Sequence, residues 1–264
     1  MRSGYVAVIG RANAGKSTLI NVMVGEKVSI VSPKPQTTRD RILGVLTEDD
    51  FQIVFVDTPG IYKARNALTD MMMKTTETSA KSVDFILYVL DGHDGIKAEE
   101  YELVKKYKEL GIPMAIAYTK IDIMPKENIP LDMAKISDWD LDIDVFPVSA
   151  RKGKNVRALK EFLVEKMPEG DKIFEEDIVS DKSERFMIAE IMREKILLKF
   201  DKEIPFSVTI FRSLSHRSSI KQFAIYSRIC ATGQIHICPN RYATIRFFHL
   251  RRNKQYLHKN PKTF

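Results

Sequence analysis

Hydrophobic residues in the first 150 positions fall into short, nearly continuous runs, separated by longer stretches with helical periodicity. The runs predict strands at Tyr5–Ile9, Ile53–Val56, Phe85–Leu90, Met114–Tyr118 and Val145–Val148. Continuous apolar character is typical of strands that are buried on both faces of a parallel sheet. Residues 42–47 predict an additional antiparallel edge strand. The pattern therefore indicates an α/β fold with a mostly parallel sheet and flanking helices.

Helices are predicted between these strands. They are expected directly after Gly15 and across residues 67–81, 97–110, 128–138 and 154–166. In the last of them, Val156, Leu159 and Leu163 recur at helical spacing and form one apolar stripe. The alternation of strand and helix is what a sheet with helical crossovers requires.

A polar, acid-rich stretch over residues 169–183 resembles a linker. A second block follows, with a helical pattern that ends near Phe200 and a strand predicted at Phe206–Phe211. Beyond Phe211 no helical or strand period is sustained. We therefore expect one domain over residues 1–168 and a smaller α+β region over residues 184–264.

Charge changes the picture at the end of the chain. Residues 207–264 contain 11 of the 42 Lys and Arg and none of the 35 Asp and Glu. The remaining 31 basic and 35 acidic residues lie in residues 1–206, which carry a net charge of −4. No window has the roughly 18 apolar residues of a membrane span, and two Cys provide no disulfide framework.

A phosphate-binding motif follows the first strand. Gly10-Arg-Ala-Asn-Ala-Gly15-Lys16-Ser17 matches G-x-x-x-x-G-K-[ST] between a predicted strand and a predicted helix. Glycines let the backbone approach phosphates, and the helix N-terminus attracts negative charge. Lys16 is expected to reach the β- and γ-phosphates, and Ser17 to bind Mg²⁺. A glycine turn that leads into an ordinary helix is the alternative.

Three further fragments follow predicted strands. In Asp57-Thr-Pro-Gly60, the carboxylate can hold Mg²⁺ through water, and the Gly60 N–H can bind the γ-phosphate. In Thr119-Lys-Ile-Asp122, the carboxylate can accept from two N–H groups of guanine, and Lys120 can lie along the base. Ser149-Ala150 can offer a backbone N–H to the guanine carbonyl oxygen. Each fragment alone is equally an ordinary turn or solvated loop, but the order along one sheet edge favours a nucleotide site.

These fragments resemble a known family. GRANAGKST, PKPQTTRD (residues 33–40), DTPG, TKID and VSA are similar to the five guanine-nucleotide motifs of TRAFAC-class GTPases. The block from Glu190 to about residue 210 is similar to the Era family, whose members carry a KH domain and assist small-subunit ribosome assembly. The resemblance is continuous from residue 3 to about residue 210. It implies a P-loop GTPase that hydrolyses GTP to GDP and phosphate.

The resemblance also implies roles for individual residues. Thr38 is expected to complete Mg²⁺ coordination with Ser17 and Asp57, Thr37 being the less favoured candidate. Catalysis is expected from Asn13, Lys16, Thr38 and Gly60. Nucleotide contacts are expected from Gly10, Arg11, Ala12, Asn13, Ala14, Gly15, Lys16, Ser17, Thr18, Asp57, Thr58, Pro59, Gly60, Thr119, Lys120, Asp122, Ser149 and Ala150.

Hydrolysis is expected to be slow. Ile61 stands where many GTPases have a Gln that orients water, and an aliphatic side chain cannot do so. Asn13 matches the position that helps to hold a monovalent cation in potassium-dependent relatives, so K⁺ or a partner is expected to accelerate the reaction. Thr119 replaces the family's usual Asn, and Ala12 replaces a common Pro, with modest effects on affinity.

The resemblance weakens in the second region. KH domains bind RNA through a G-x-x-G loop, whereas the only glycine after Phe206 is Gly233. The basic end is either an RNA-binding arm or the product of a shifted reading frame. The family implies small-subunit rRNA and the 30S subunit as partners, a monomer, and a cytoplasmic location with peripheral contact at the inner membrane. The alternatives are a GTP-gated switch with a protein or membrane partner and a frame-shifted product that retains only nucleotide binding.

Overall fold

The structure, a computed structural model, describes residues 1–34, 37–61, 76, 78–80, 82–199, 208–213 and 222–227. It divides the chain into two compact units, Met1–Met187 and Ile188–Phe264. The domain boundaries expected at residues 168 and 183 stay predictions.

The first unit is built on a six-stranded sheet. Its strands are β1 (Arg2–Gly10), β2 (Ile42–Glu48), β3 (Phe51–Asp57), β4 (Phe85–Asp91), β5 (Met114–Thr119) and β6 (Asp144–Pro147). The strand order is β2-β3-β1-β4-β5-β6. Only β2 and β3 are antiparallel neighbours, and the other pairs are parallel. The α/β prediction is confirmed, including the antiparallel edge strand.

Four helices in the described residues each follow a strand of this sheet. They are α1 (Lys16–Val24), α2 (Ala98–Lys108), α3 (Asn128–Ser137) and α4 (Val156–Lys166). The helix predicted over residues 67–81 lies largely outside the described residues, although Thr76 and residues 78–80 are helical. No helix in the described part of the chain is both long enough and apolar enough to cross a bilayer.

Alternate side chains of β1 enter two different cores. Val6 and Val8 pack in the cluster that contains Leu19 of α1 and Leu159 of α4. Ala7 and Ile9 pack on the opposite face, in the cluster formed with residues of α2 and α3. All of these β1 side chains are fully buried. Burial on both faces explains why the strand is a continuous apolar run and holds the end of β1 in a fixed position.

Residues 169–181, here called the covering segment, pack along the sheet despite their acidic composition. The Val45 N–H of β2 donates to the Val179 carbonyl oxygen at 2.9 Å, and the Leu43 N–H donates to an Asp181 carboxylate oxygen at 2.9 Å. Ile173, Phe174 and Ile178 contact the buried apolar residues of β2 and β3. The segment expected to be a linker is therefore part of the sheet's packing.

The second unit is described in part. Helix α5 (Glu184–Lys199) begins in the first unit, continues into the second and ends where the sequence predicted. Strand β7 (Val208–Ser213) begins and ends two residues later than the predicted strand. The expectation of no regular element after Phe211 is wrong, because β8 (Gln222–Ser227) pairs antiparallel with β7. Four consecutive apolar residues at 223–226 show no alternation, so the pairing with β7, rather than a sequence period, defines this strand.

Candidate functional site

The phosphate loop occupies the turn between β1 and α1 at the carboxyl edge of the sheet. A Cβ atom at Gly10 would lie 2.3 Å from the Val89 carbonyl oxygen, so no larger residue fits there. Gly15 has φ 100°, in the left-handed region, immediately before α1. Ala14 is buried and its N–H closes the turn on the Arg11 carbonyl oxygen at 3.3 Å. A helix that begins after such a turn has free N–H groups in its first turn, which attract phosphate.

Lys16 is the cation of this loop. Its side chain is 5% exposed, and its ammonium group donates to the carbonyl oxygens of Gly10 at 3.0 Å and Arg11 at 2.9 Å. Burial lowers the pKa of Lys16 to about 8, against the opposing attraction of the Asp57 and Glu100 carboxylates. Lys16 is thus held inside the loop by bonds that a phosphate oxygen can replace with a charge-assisted contact.

Three oxygen-bearing side chains converge beside Lys16. The Ser17 hydroxyl donates to Asp57 Oδ2 at 2.8 Å, and Thr38 Oγ1 lies 3.1 Å from Ser17 Oγ and 3.4 Å from Asp57 Oδ2. Thr37 instead donates to the Lys34 carbonyl oxygen at 2.6 Å. The structure therefore brings together the three residues that the sequence assigned to Mg²⁺.

The donor set at this point fits Mg²⁺. Asp57 is fully buried, burial raises the pKa of its carboxyl, and its Oδ1 has no hydrogen-bond partner among the residues that the structure describes. A buried acceptor without a donor is costly unless something positive completes it. Hydroxyl and carboxylate oxygens are hard ligands of the kind that Mg²⁺ prefers. The described residues contain no cluster of three or more His, Cys, Asp or Glu that would form an alternative metal site.

The loop after β3 lies directly against the phosphate loop. A Cβ at Gly60 would come within 2.6 Å of the Ala12 Cα, so this position also requires glycine. The Ile61 N–H donates to the Gly10 carbonyl oxygen at 3.1 Å, and the Ile61 side chain is buried. The Thr58 hydroxyl donates to the Val8 carbonyl oxygen at 2.8 Å. Residues 57–60 therefore face the phosphate loop, as predicted.

The loop after β5 joins the phosphate loop to the predicted base pocket. Thr119 Oγ1 lies 2.6 Å from the Ala14 carbonyl oxygen and 3.1 Å from the Leu90 carbonyl oxygen. Lys120 has φ 63° and forms an ion pair with Asp91, which ends β4. These contacts hold the Lys120 stem at the edge where the base is expected.

The predicted guanine-reading residue is oriented by its neighbour. Asp122 is exposed, and its Oδ1 accepts a hydrogen bond from the Ser149 hydroxyl at 2.7 Å. Ser149 is fully buried, and its Oγ also accepts from the Lys152 N–H at 3.2 Å. The hydrogen bond from Ser149 uses one lone pair of Asp122 Oδ1, so Oδ2 and the second lone pair of Oδ1 can still accept from a ligand. Ala150, half-buried, follows Ser149 at the same edge.

The Asn13 side chain is on the surface of the phosphate loop, whereas Thr38 and Asp57 are buried. Asn13 is exposed, has φ 63°, and donates from its amide nitrogen to the Pro33 carbonyl oxygen at 2.6 Å. Asn is one of the few residues that adopts this left-handed conformation readily. The contact with Pro33 joins the phosphate loop to the segment that leads to Thr38. The remaining predicted residue of this loop, Thr18, is half-buried in the first turn of α1.

Sequence reasoning missed two carboxylates at this site. Asp91 was not selected although it ends a buried strand, the same signal that identified Asp57. Glu100 on α2 is 3% exposed, accepts a hydrogen bond from the Tyr88 hydroxyl and lies 3.8 Å from the Arg11 guanidinium. Burial raises the pKa of Glu100 against the attraction of Arg11. Glu100 is spaced i, i+4 and i+7 with Val104 and Tyr107, the other buried residues of α2, so helical periodicity is the signal that could have placed it on the inward face.

Comparison with known proteins gives one consistent result. Residues 5–120 match the family described as 50S ribosome-binding GTPase. The chain is 42% identical over 210 residues to GTPase Era of Clostridium kluyveri, covering 80% of this chain and 72% of that protein. It is also 42% identical over 209 residues to GTPase Era of Clostridium novyi, covering 79% and 71%.

Solved structures agree with these relatives. An Era variant from Aquifex aeolicus bound to GDP·AlF₄⁻ is 36% identical with a TM-score of 0.77, over 81% of this chain and 73% of that one. Era in complex with MgGDPNP and nucleotides 1506–1542 of 16S ribosomal RNA is 35% identical with a TM-score of 0.79, over 85% and 77%.

Proposed function

Because this chain belongs to the Era family of GTPases, we propose that it is a nucleotide-controlled switch that acts on ribosomal RNA during small-subunit assembly. It is a GTPase, and its ligands are guanine nucleotide and Mg²⁺. The observation that carries the switch is the convergence of Thr38 with Ser17 and Asp57. Thr38 lies in the segment between β1 and β2. If it binds the same Mg²⁺ as the γ-phosphate, the order of this segment depends on whether that phosphate is present.

The phosphate end of the site supports the following roles. Lys16 binds the β- and γ-phosphates, and the Gly60 N–H binds the γ-phosphate. Ser17, Thr38 and the Asp57 carboxylate, with its unpartnered Oδ1, hold Mg²⁺. When bound, Mg²⁺ neutralises charge on the phosphates. The residues around it position the γ-phosphate for attack by water, which yields GDP and phosphate.

The base end supports selection of guanine. Asp122, oriented by Ser149, accepts from two guanine N–H groups, a pair that adenine does not offer. Lys120, fixed by Asp91, packs along the base. Thr119 connects this end to the phosphate loop through Ala14. When a base without these two N–H groups is bound, the Asp122 carboxylate is left without hydrogen-bond donors, and this cost makes the site discriminate strongly in favour of guanine.

A monovalent cation is part of the proposal. Ile61 is buried and aliphatic, so it cannot orient water. Asn13 lies at the rim of the phosphate loop, where its amide oxygen can bind a cation next to the phosphates. Extra positive charge at that point would stabilise the developing negative charge of the transition state. The proposed cation is K⁺.

The proposed RNA target rests on similarity and composition. The related Era structure contains nucleotides 1506–1542 of 16S ribosomal RNA. The last 58 residues of this chain contain 11 Lys and Arg with no acidic residue, a composition that favours binding to phosphate backbones. We therefore propose that this chain binds the 3′ region of the small-subunit rRNA, in the absence of a G-x-x-G loop, with a contribution from these cations.

A gel-shift titration tests this proposal. The full chain is titrated into an RNA of that 3′ region and into a scrambled RNA of equal length, with GTP or GDP, over a salt series. We expect the rRNA fragment to bind more tightly than the scrambled RNA and to respond to the nucleotide. Equal affinity for both RNAs, with no nucleotide dependence, would show that the chain is not an rRNA switch.

A further inference from the structure

The loop after β6 carries a small positive surface that directly follows the nucleotide-site candidates Ser149 and Ala150. Residues 149–155, here called the basic loop, contain Arg151, Lys152 and Lys154 and no acidic residue. All three side chains are exposed. Within the part of the chain that the structure describes, none of them forms an ion pair or a side-chain hydrogen bond. This contrasts with Arg157 and Lys160 just beyond, which pair with Glu161 and Glu48.

The basic loop has a defined conformation. The Ser149 and Lys154 backbones exchange two N–H···O hydrogen bonds, each of 3.0 Å. Gly153 has φ 65° and allows the turn between them, and the Asn155 amide donates to the Pro147 carbonyl oxygen at 2.7 Å. Cations presented on a fixed loop lose less conformational entropy on binding than cations on a flexible tail. Backbone order is therefore already in place for a ligand.

Opposite charges lie at the two ends of β6. The stretch that enters this strand contains four exposed aspartates and no basic residue: Asp138, Asp140, Asp142 and Asp144. The basic loop leaves the strand at the nucleotide edge. Because residues 1–206 carry a net charge of −4, the positive loop is a local feature rather than part of a generally basic surface. A polyanion is attracted to the basic loop and repelled by the four aspartates at the start of β6.

We propose that Arg151, Lys152 and Lys154 form a docking surface for the phosphate backbone of RNA. The three exposed side chains carry the positive charge that phosphate contacts require, and such contacts are independent of base sequence. This inference rests on the proposed RNA-binding function, and it adds a contact on the first unit, next to the guanine pocket.

The surface is also connected to the residue that selects guanine. The Lys152 N–H donates to Ser149 Oγ, and Ser149 donates to Asp122. RNA bound to the basic loop is therefore connected, through Lys152 and Ser149, to the hydrogen bond that orients Asp122. This places the RNA contact at the one edge of the sheet where the nucleotide is bound.

The test measures binding of the GDP-loaded full chain to poly(U) over a sodium chloride series. Poly(U) is used because backbone contacts do not require the rRNA sequence. The variant combines Arg151→Gln, Lys152→Gln and Lys154→Gln. The control combines Lys105→Gln, Lys106→Gln and Lys166→Gln. It removes the same charge from the C-terminal ends of α2 and α4, toward the amino-terminal ends of the strands and away from the nucleotide site.

We expect the basic-loop variant to bind poly(U) about 10- to 100-fold more weakly at low salt, with a salt slope reduced by about 2, since each single-strand phosphate contact contributes about 0.7. The control should change affinity by less than about 3-fold. Equal losses in the two variants would overturn the proposal. A large loss of GDP affinity in the basic-loop variant would assign the cations to the nucleotide and would also overturn it.

The two proposals fail separately. If wild type binds the rRNA fragment no better than scrambled RNA, the rRNA function fails, whatever the basic-loop variant does on poly(U). If wild type prefers the rRNA fragment but the variant binds poly(U) like the control, only the basic-loop surface is disproved.

Discussion

The Thr119 hydroxyl lies 2.6 Å from the carbonyl oxygen of Ala14, joining the loop after β5 to the phosphate loop across 105 residues of sequence. A hydroxyl carries one proton, so Thr119 shares it between Ala14 and Leu90, whose carbonyl oxygen is 3.1 Å away. The base end and the phosphate end of the site are therefore connected by one side chain, at a position where the family usually has Asn.

Replacing Thr119 tests this connection. Thr119→Val keeps the shape but leaves buried carbonyl oxygens without a donor, which costs about 1–3 kcal/mol. We expect lower stability to urea and weaker GDP binding. Thr119→Ser is the matched control, because it retains the hydroxyl, and it should stay close to wild type. Equal behaviour of the Val and Ser variants would show that the hydrogen bond contributes nothing.

Thr38 and Thr37 are predicted to differ sharply. Thr38→Ala removes a hydroxyl beside Ser17 and Asp57, and we expect single-turnover GTP hydrolysis to fall by about 100-fold while GDP affinity changes little. Thr37→Ala removes only a hydroxyl bonded to the Lys34 carbonyl oxygen and serves as the neighbouring control. Hydrolysis lost in the Thr37 variant and kept in the Thr38 variant would reverse the assignment.

Guanine selection is predicted to depend on Asp122 and, less strongly, on Ser149. Asp122→Ala should lower the preference for GDP over ADP by about 10³-fold or more, because the guanine N–H groups lose their acceptor. Ser149→Ala should weaken GDP binding by about 3- to 30-fold through loss of one hydrogen bond to a charged group. Competition of labelled GDP by GDP and ADP measures both. A preference unchanged by Asp122→Ala would contradict this reading of the base pocket.

Potassium is predicted to accelerate hydrolysis through Asn13. Single-turnover GTP cleavage should be at least several-fold faster in K⁺ than in Na⁺, and the difference should disappear in Asn13→Gly, which keeps the left-handed conformation but lacks the amide. The Asn13→Ala variant combines loss of the amide with backbone strain and separates the two effects. Identical rates in the two salts for wild type would remove the cation from the mechanism.

Glu100 is predicted to make stability depend on pH. Burial raises its pKa above the ordinary value of 4.5, so in the window between the two values the folded state holds a proton that the unfolded state has released. Stability therefore falls as pH rises through that window.

The variant Glu100→Gln still accepts from Tyr88 but cannot ionise, so its urea midpoint should lack this fall. Glu102→Gln, on an exposed position of the same helix, is the control and should follow wild type. A parallel pH profile for wild type and the Glu100 variant would show that this carboxyl does not titrate in the window.

Much of the fold follows from local pattern. The buried strands are continuous apolar runs because both faces of the sheet are covered, and Gly10 and Gly60 are glycines because a Cβ would collide with neighbouring backbone. Parallel strands end at one edge, so four short motifs in chain order predicted one site. Ser17 and Asp57 lie within hydrogen-bonding distance of each other, as that reasoning requires, and Thr38, which only the family resemblance indicated, joins them.

The remainder depends on long-range contacts that no local pattern encodes. The covering segment has an acidic composition, and four apolar residues in it pack on the sheet: Ile173, Phe174, Ile178 and Val179. The Gln52 side chain holds it through hydrogen bonds to the Ile173 and Phe174 backbones, and nothing near Gln52 in sequence indicates this. The hydrogen bond from Tyr88 to Glu100 and the one from Ser149 to Asp122 likewise depend on which elements become neighbours.

The covering segment has a practical consequence for dividing this protein. By bonding to the N–H groups of Leu43 and Val45, it occupies the outer border of β2. A fragment that stopped at residue 168 would present an unpaired and largely aliphatic strand to solvent, the kind of template on which other chains assemble. Soluble fragments of the GTPase unit should therefore extend through Met187, so that the covering segment continues to occupy the exposed border of β2.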